Sequence, residues 1–439
     1  MISHFISVYN SFEEIFMVTH IKNAISLDGE PLNIAIEDGI IVSVSKDALH
    51  GVADTVIDAD GKLAIPGLIN CHTHSYMSVF RNIADDVDFE TWLFKSIMPL
   101  EDRLTNEDAY YGAMLSCIEM LKSGTVCFLD MHMFKGMTIS AARDCGMRAV
   151  MSRGLVGSGD DEGGQRRIQE TMDEKAEFES DGRFSFMLGP HAIYTCDEAY
   201  LRKVAALAKK EGMGIHIHVS ETKNEFDSCV KEHGMTPVEY LDSLGIFDGK
   251  AIAAHCVYLT DNDIDILAKK GVYVAHNPKS NMKLGNGFAP IKKLLDAGAK
   301  VCLGTDSQGS NNCLNMFSEM NHMALIHKGT GTDPQAVSAK ATFEAATRVG
   351  AEALGLNGGT LEVGKNGDVV LIDIERPQFY PTNNILSSLV YSANGSEVDT
   401  VIIGGKVVLE NGKVVGIDEK EIYCKVNDIV NRLKKETQQ

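Results

Sequence analysis

The chain reads as an α/β protein, a distorted (β/α)8 TIM barrel with a small β-sandwich built from both chain ends. Three observations predict this. The middle of the sequence alternates short apolar runs with helical stretches, the texture of βα units around a parallel sheet. Eight such runs occur, the number that closes a barrel. Both ends are instead rich in β-forming residues broken by turn signals.

Taken in order, residues 1–16, "MISHFISVYNSFEEIF", precede a second methionine, Met17, and read as an N-terminal extension. They lack the basic start and long apolar core of a secretory signal. Residues 17–65 hold strand-like pieces such as "LNIAIEDGIIVSVS", with turns at Asp38-Gly39 and Asp60-Gly61. The same texture returns within residues 363–439, in "GDVVLIDI" and "VDTVIIGGKVVLENGKVVG", so the two ends are expected to share one small sandwich domain. Residues 66–362 form the barrel, whose strands are "LAIPGLINCH", "GTVCFLDM", "RAVMSRGLV", "FSFMLGPH", "GIHIHVSE", "AIAAHCVYL", "GVYVAHNP" and "KVCLGTDS".

Composition narrows the function. A net charge of -20 argues against nucleic acid or an anionic membrane surface as partner, because both need a positive footprint. No apolar run approaches the roughly 20 residues of a membrane span. Ten cysteines without a CxxC pair suit reduced thiols in the cytoplasm. A small-molecule partner is left, with a homo-oligomer open.

The stretch "NCHTHS" puts His72 and His74 two residues apart, and in a strand such residues face the same side. Two imidazoles side by side can grip one ion, although a surface pair or a satisfied buried pair has the same spacing. The other strands decide between these readings. They finish in Asp130, Arg153, His191, His218, His255, His276 and Asp306, and barrel strands converge at their C-terminal ends on one mouth. Fourteen histidines scattered at random would not gather there, so a metal site is expected.

"PGLINCHTH", "HIHVSET", "AAHCVYL" and "LGTDS", in that order, resemble the amidohydrolase superfamily and its mononuclear deaminase branch, over nearly the whole chain from Met17 onward. The resemblance implies His72, His74, His218 and Asp306 as metal ligands, with Glu221, His255 and Asp306 handling protons. Three neutral imidazoles and a carboxylate suit one divalent ion, zinc before iron or manganese, with a position left for water. Zinc brings such a water to a pKa of about 7. His216 shares a strand face with His218, and only the family's spacing to Glu221 selects His218; His216 is then a core histidine. The fourth strand ends in His191 rather than the lysine whose carbamate bridges two metals in binuclear relatives. His276 suits a supporting or a structural role. His132, His322 and His327 have no family counterpart and read as ordinary helix or loop residues.

"DVDFETWLF" resembles the family segment that meets adenosine-type substrates, which implies Glu90 on the ribose hydroxyls and Trp92 as an apolar wall. His191 and Ser310 are implied as further substrate contacts. Members that accept S-adenosylhomocysteine carry one arginine in "RGLV", matched by Arg153, and another after paired glycines, matched by Arg166 or its neighbour Arg167. These would anchor a carboxylate, unless they only pair with Asp160, Asp161 and Glu162 nearby. "GNGFAP" lacks the register of a phosphate cradle and reads as a loop between the seventh and eighth strands. The expected activity is metal-dependent deamination of the adenine ring of S-adenosylhomocysteine and 5'-methylthioadenosine, giving the inosine analogues and ammonia. The alternatives are a deaminase of 5'-deoxyadenosine, adenosine, guanine or cytosine, a triazine hydrolase, or a non-catalytic relative.

Overall fold

The structure, a computed structural model, describes residues 17–437; the expected extension, residues 1–16, lies outside them. The N-terminal part forms β1 (Val18–Ile25), β2 (Pro31–Glu37), β3 (Ile40–Ser45), β4 (Thr55–Asp58) and β5 (Lys62–Pro66). Asp38 and Gly39 both take positive φ between β2 and β3, as the Asp-Gly signal requires of a tight hairpin turn.

The eight barrel strands follow: β6 (Leu68–Thr73), β7 (Thr125–His132), β8 (Arg148–Leu155), β9 (Phe184–Pro190), β10 (Gly214–Val219), β11 (Ala251–His255), β12 (Tyr273–His276) and β13 (Lys300–Leu303). They lie side by side in sequence order, every pair parallel. Helices cover the outside, which is why strands such as "AIAAH" are apolar along most of their length and fully buried. The ring is joined between β13 and β6 by the His72 carbonyl oxygen, which accepts from Thr305 N at 3.1 Å and Asp306 N at 2.9 Å. Gly304 permits this approach, since a Cβ there would lie 2.9 Å from the His72 nitrogen.

One strand departs from the sequence reading. "LAIPGLINCH" is two strands: β5 pairs antiparallel with β14 (Val369–Asp373) in the other sheet, and only β6 enters the barrel. The chain changes sheets at Gly67, where a Cβ would meet the Val126 side chain at 2.3 Å.

β15 (Val398–Ile403), β16 (Lys406–Glu410) and β17 (Lys413–Val414) extend β14, so that both chain ends form one nine-stranded, mainly antiparallel sheet. Ile21, Ile34 and Ile36 from one end pack with Val369, Leu371 and Ile402 from the other, and neither end alone could bury this face. The helix Glu419–Thr437 leaves the sheet and packs on the barrel helix Asn106–Lys122, through Arg432–Asp108 and a 2.6 Å pair between Lys122 and Glu419. Part of the 363–439 segment therefore covers the barrel rather than the sandwich. Among the described residues no helix is long and apolar enough to cross a membrane, and all ten cysteines are free, eight of them buried.

Candidate active site

The C-terminal ends of the barrel strands bring His72, His74, His218, His255 and Asp306 together, as the ladder of strand ends predicts. What organises them is the use each ring makes of its Nδ1 atom. His74 Nδ1 lies 2.8 Å from the Met131 carbonyl oxygen, and His218 Nδ1 lies 2.8 Å from that of His191. A carbonyl only accepts, so both rings carry their proton on Nδ1 and present a bare Nε2. His255 Nδ1 meets Asn281 Oδ1 at 2.9 Å, and His72 Nδ1 meets His216 Nε2 at 2.8 Å. The Nε2 atoms of His72 and His255 are buried without a hydrogen-bond partner.

These free nitrogens face one point. His74 Nε2 and His218 Nε2 are 3.4 Å apart, and Asp306 Oδ1 lies 3.4 Å from His74 Nε2 and 3.5 Å from His72 Nε2. Ligands at ~2.1 Å around a tetrahedral ion sit about 3.4 Å from one another. The donor set therefore fits one divalent ion, and two facing lone pairs at this separation repel unless a cation lies between them. His255 also lies within this cluster of ligand atoms, beside His72, Glu221 and Asp306.

Electrostatics agree with the geometry. Burial pulls the His72 imidazole down to about 4 despite Asp306 beside it, and pulls His218 well below the ordinary value, so both rings are neutral. Burial alone would raise the Asp306 carboxyl, but the imidazoles of His72, His74 and His255 around it hold it well below the carboxylate range. Its second oxygen accepts from Ser280 Oγ at 2.6 Å and Ser310 Oγ at 2.7 Å. Backbone strain collects here too. His255 and Asp306 take φ of 72° and 61°, a region non-glycine residues seldom occupy and that clusters at functional sites.

Glu221 faces the same centre with opposite behaviour. Burial, then the Asp306 charge, push its carboxyl well above the ordinary value, which favours its protonated form. Asn286 Nδ2 donates to its Oε1 at 3.0 Å, and its other oxygen is 3.8 Å from His255 Nε2. Glu225 accepts from the backbone nitrogens of Ser220 and Glu221 at 3.1 and 2.7 Å and fixes the turn that aims Glu221.

A cavity opens above the cluster, walled by Trp92, Met98, Glu101, Met131, Met133 and His191. Trp92 sits on a π-helical turn, Thr91–Ile97, and is held by its indole N–H on the Gly309 carbonyl oxygen. Burial, then the neighbouring His74 and His72, lower His191 to about 3. Glu90 does not line this cavity; it lies in an adjoining groove, where Asn224 Nδ2 donates to it at 3.3 Å. Besides Glu221 and Asp306, the carboxyl that lines it is Glu101, which accepts from the Tyr76 hydroxyl and is raised by burial. Glu101 was passed over in the sequence, where its signal was one acid among the apolar residues of "SIMPLED".

The remaining candidates are distributed as follows. Ser310 is fully buried with its hydroxyl on Asp306 rather than lining the cavity. Arg153 donates to the Met133 carbonyl oxygen at 2.7 Å and pairs with Glu170. Arg166 is largely exposed, 3.8 Å from Glu170, and Arg167 donates to the Val156 carbonyl oxygen at 3.2 Å. The acids next to them in sequence are engaged elsewhere: Asp161 caps the Gly164 nitrogen, and Asp160 pairs with Lys203. His132 is neither helix nor loop; it ends β7, fully buried, with Nε2 3.0 Å from Glu174, because an apolar strand end has room only for a paired imidazole. His327 is buried on a helix with Nε2 3.1 Å from that of His276, whereas His322 bonds its own helix through Ser318. The "GNGFAP" loop contributes Asn286, which the sequence gave no reason to choose.

The sequence profile described as the amidohydrolase family matches residues 63–408. A 5-methylthioadenosine/S-adenosylhomocysteine deaminase of Caldanaerobacter subterraneus is 44% identical over 401 residues, covering 90% of this chain and 93% of that protein. A 5'-deoxyadenosine deaminase of Methanothermobacter thermautotrophicus is 45% identical over 392 residues, covering 89% and 92%. Among solved structures, an adenosine deaminase from Xanthomonas campestris with bound zinc superposes with a TM-score of 0.90 at 30% identity, over 95% of this chain and 98% of that one. Barrel, split sheet, histidine cluster and these likenesses agree: the chain belongs to the amidohydrolase family.

Proposed function

We propose that the protein is a metal-dependent aminohydrolase that deaminates the adenine ring of 5'-methylthioadenosine and S-adenosylhomocysteine. One observation carries the reading: four imidazoles, their Nδ1 atoms engaged, turn their Nε2 atoms toward one point beside Asp306, with the buried carboxyl of Glu221 facing it. The names of curated relatives 44–45% identical supply the substrate class, and the zinc-bound relative favours zinc as the ion. Free buried thiols suit a cytoplasmic setting.

His72, His74, His218 and Asp306 would hold a divalent ion, which when bound would lower the pKa of a water toward neutrality. Glu221 gives its proton to the ring nitrogen beside the amino-bearing carbon, which makes that carbon electrophilic. His255, fixed by Asn281, holds the attacking oxygen in place. Asp306 takes one proton from the water and passes it to the amino group, and the second returns to Glu221 as the carbon–nitrogen bond breaks. The balance is adenine plus water giving hypoxanthine plus ammonia. Trp92 and His191 wall the purine, and Glu90, in the groove that adjoins the cavity, accepts from the ribose hydroxyls. Arg153, with Arg166, offers a cation to an amino-acid carboxylate.

The test is ammonia release by zinc-loaded protein on 5'-methylthioadenosine, S-adenosylhomocysteine, 5'-deoxyadenosine, adenosine, guanine and cytosine. Fastest turnover of a 5'-substituted adenosine is expected; turnover of only a free base would refute the substrate class. 5'-Deoxyadenosine is the second reading, favoured by one relative's name and by the engagement of Arg153 with Glu170.

A further inference from the structure

We propose that Glu170 sets substrate selectivity: it neutralises Arg153 behind the cavity wall and so disfavours a 5' substituent ending in a carboxylate relative to an uncharged one. This rests on the deamination of 5'-substituted adenosines proposed above.

Arg153 ends close to the mouth of β8 and is only 8% exposed. Its guanidinium is fixed by the carbonyl oxygen of Met133, a residue that lines the cavity. It is thus a buried cation one residue behind the wall, within reach of an anionic substituent that passes Met133. The helix Glu162–Phe178 carries Arg166 and Glu170 one turn apart, and Glu170 takes both guanidiniums. One turn further on, Glu174 is committed to His132 and to the Gly136 nitrogen. The acid that cancels Arg153 is therefore Glu170.

The wall in front of this cluster is apolar, made of Met131, Met133 and Val156. A thioether or methyl group packs there on soft, polarisable methionine side chains with no charge to satisfy. A carboxylate must displace Glu170 from Arg153 or sit near it as a second negative charge. Glu170 is an internal competitor for the cation, acting on the substrate through Arg153.

The test compares kcat/KM for S-adenosylhomocysteine and 5'-methylthioadenosine in the wild type, Glu170→Gln, Arg153→Gln and the double variant, all zinc-loaded. Glu170→Gln is expected to raise the ratio in favour of S-adenosylhomocysteine about tenfold, or ~1.4 kcal/mol, chiefly through KM. Glu170→Ala must shift it the same way. In the Arg153→Gln background the effect should vanish, which loss of a merely structural ion pair would not produce. An unchanged ratio, an equal fall on both substrates, or a rise that persists without Arg153 overturns the proposal. No turnover of either nucleoside by the wild type would instead refute the proposed activity, and this inference with it.

Discussion

The indole N–H of Trp92 donates to the carbonyl oxygen of Gly309 at 3.0 Å, tying the π-helical turn over the cavity to the loop that follows Asp306. Lys283 donates to the same oxygen at 3.0 Å and reaches Asn312 Oδ1 at 3.1 Å and Asp85 at 2.7 Å. Hydrogen bonds from Lys283, then from Asn312 and Asn82, hold the Asp85 carboxyl down at about 2. One ammonium group thus joins three segments around the cavity.

Removing that ammonium should loosen the wall without touching the reacting atoms. Lys283→Met is expected to raise KM about tenfold while lowering kcat less, because small misplacements of substrate-positioning groups cost up to about a hundredfold. Trp92→Phe keeps an apolar wall but loses the N–H, worth about 1 kcal/mol. Steady-state kinetics on 5'-methylthioadenosine separate the two effects, and a fall in kcat alone would contradict this role.

Ser310 and Ser280 both donate to Asp306 Oδ2. Partners of this kind orient a ligating group, and losing one typically weakens metal binding about 10- to 100-fold. Ser310→Ala is expected to do so, read by competition for zinc against a chelator of known affinity, while thermal unfolding of the zinc-saturated variant changes little. An unchanged affinity would remove Ser310 from the metal's support.

The buried pair of His132 and Glu174 predicts a pH dependence of stability. Burial would lower the His132 imidazole, but Glu174, with Asp130 adding, outweighs it and the imidazole titrates above its ordinary 6.5. Burial would raise Glu174, but His132 holds it below its ordinary 4.5. The folded state therefore binds more protons at His132 and fewer at Glu174 than the unfolded chain. The contribution is full between the ordinary values of 4.5 and 6.5, is lost as pH rises through the raised histidine value, and is lost as pH falls through the lowered glutamate value. Glu174→Gln should cost about 3 kcal/mol in urea unfolding at a pH inside that window, the lower end for breaking a buried pair. The difference from wild type should shrink on the alkaline side; a cost independent of pH would contradict the pairing.

The eight barrel strands were legible because both faces are buried, which leaves a continuous apolar signature in each. The histidine cluster was legible for a related reason: topology sends every strand's last residues to one mouth, which gathers His72, His255 and Asp306, whereas only the family's spacing to Glu221 separated His218 from His216. Features that depend on how one element docks on another were not. Glu101 rather than Glu90 faces the cavity because of how the π-helical turn and the short helix after it run, and local sequence does not show that. Arg153 meets Glu170 only because the helix Glu162–Phe178 packs back on β8, which selects an acid seventeen residues away over the nearer Asp160, Asp161 and Glu162. Asn281 and Asn286 are likewise ordinary loop and helix residues until the fold aims them at His255 and Glu221.

The most direct measurement is a zinc titration of chelator-stripped protein, following bound metal per chain together with ammonia release from 5'-methylthioadenosine. Activity should be absent at the start, rise in proportion to bound zinc and level off at one ion per chain, with Glu221→Gln binding the same ion in silence. Full activity in the stripped protein, or a rise that continues to two ions, would contradict a single metal at the cluster of His72, His74, His218 and Asp306.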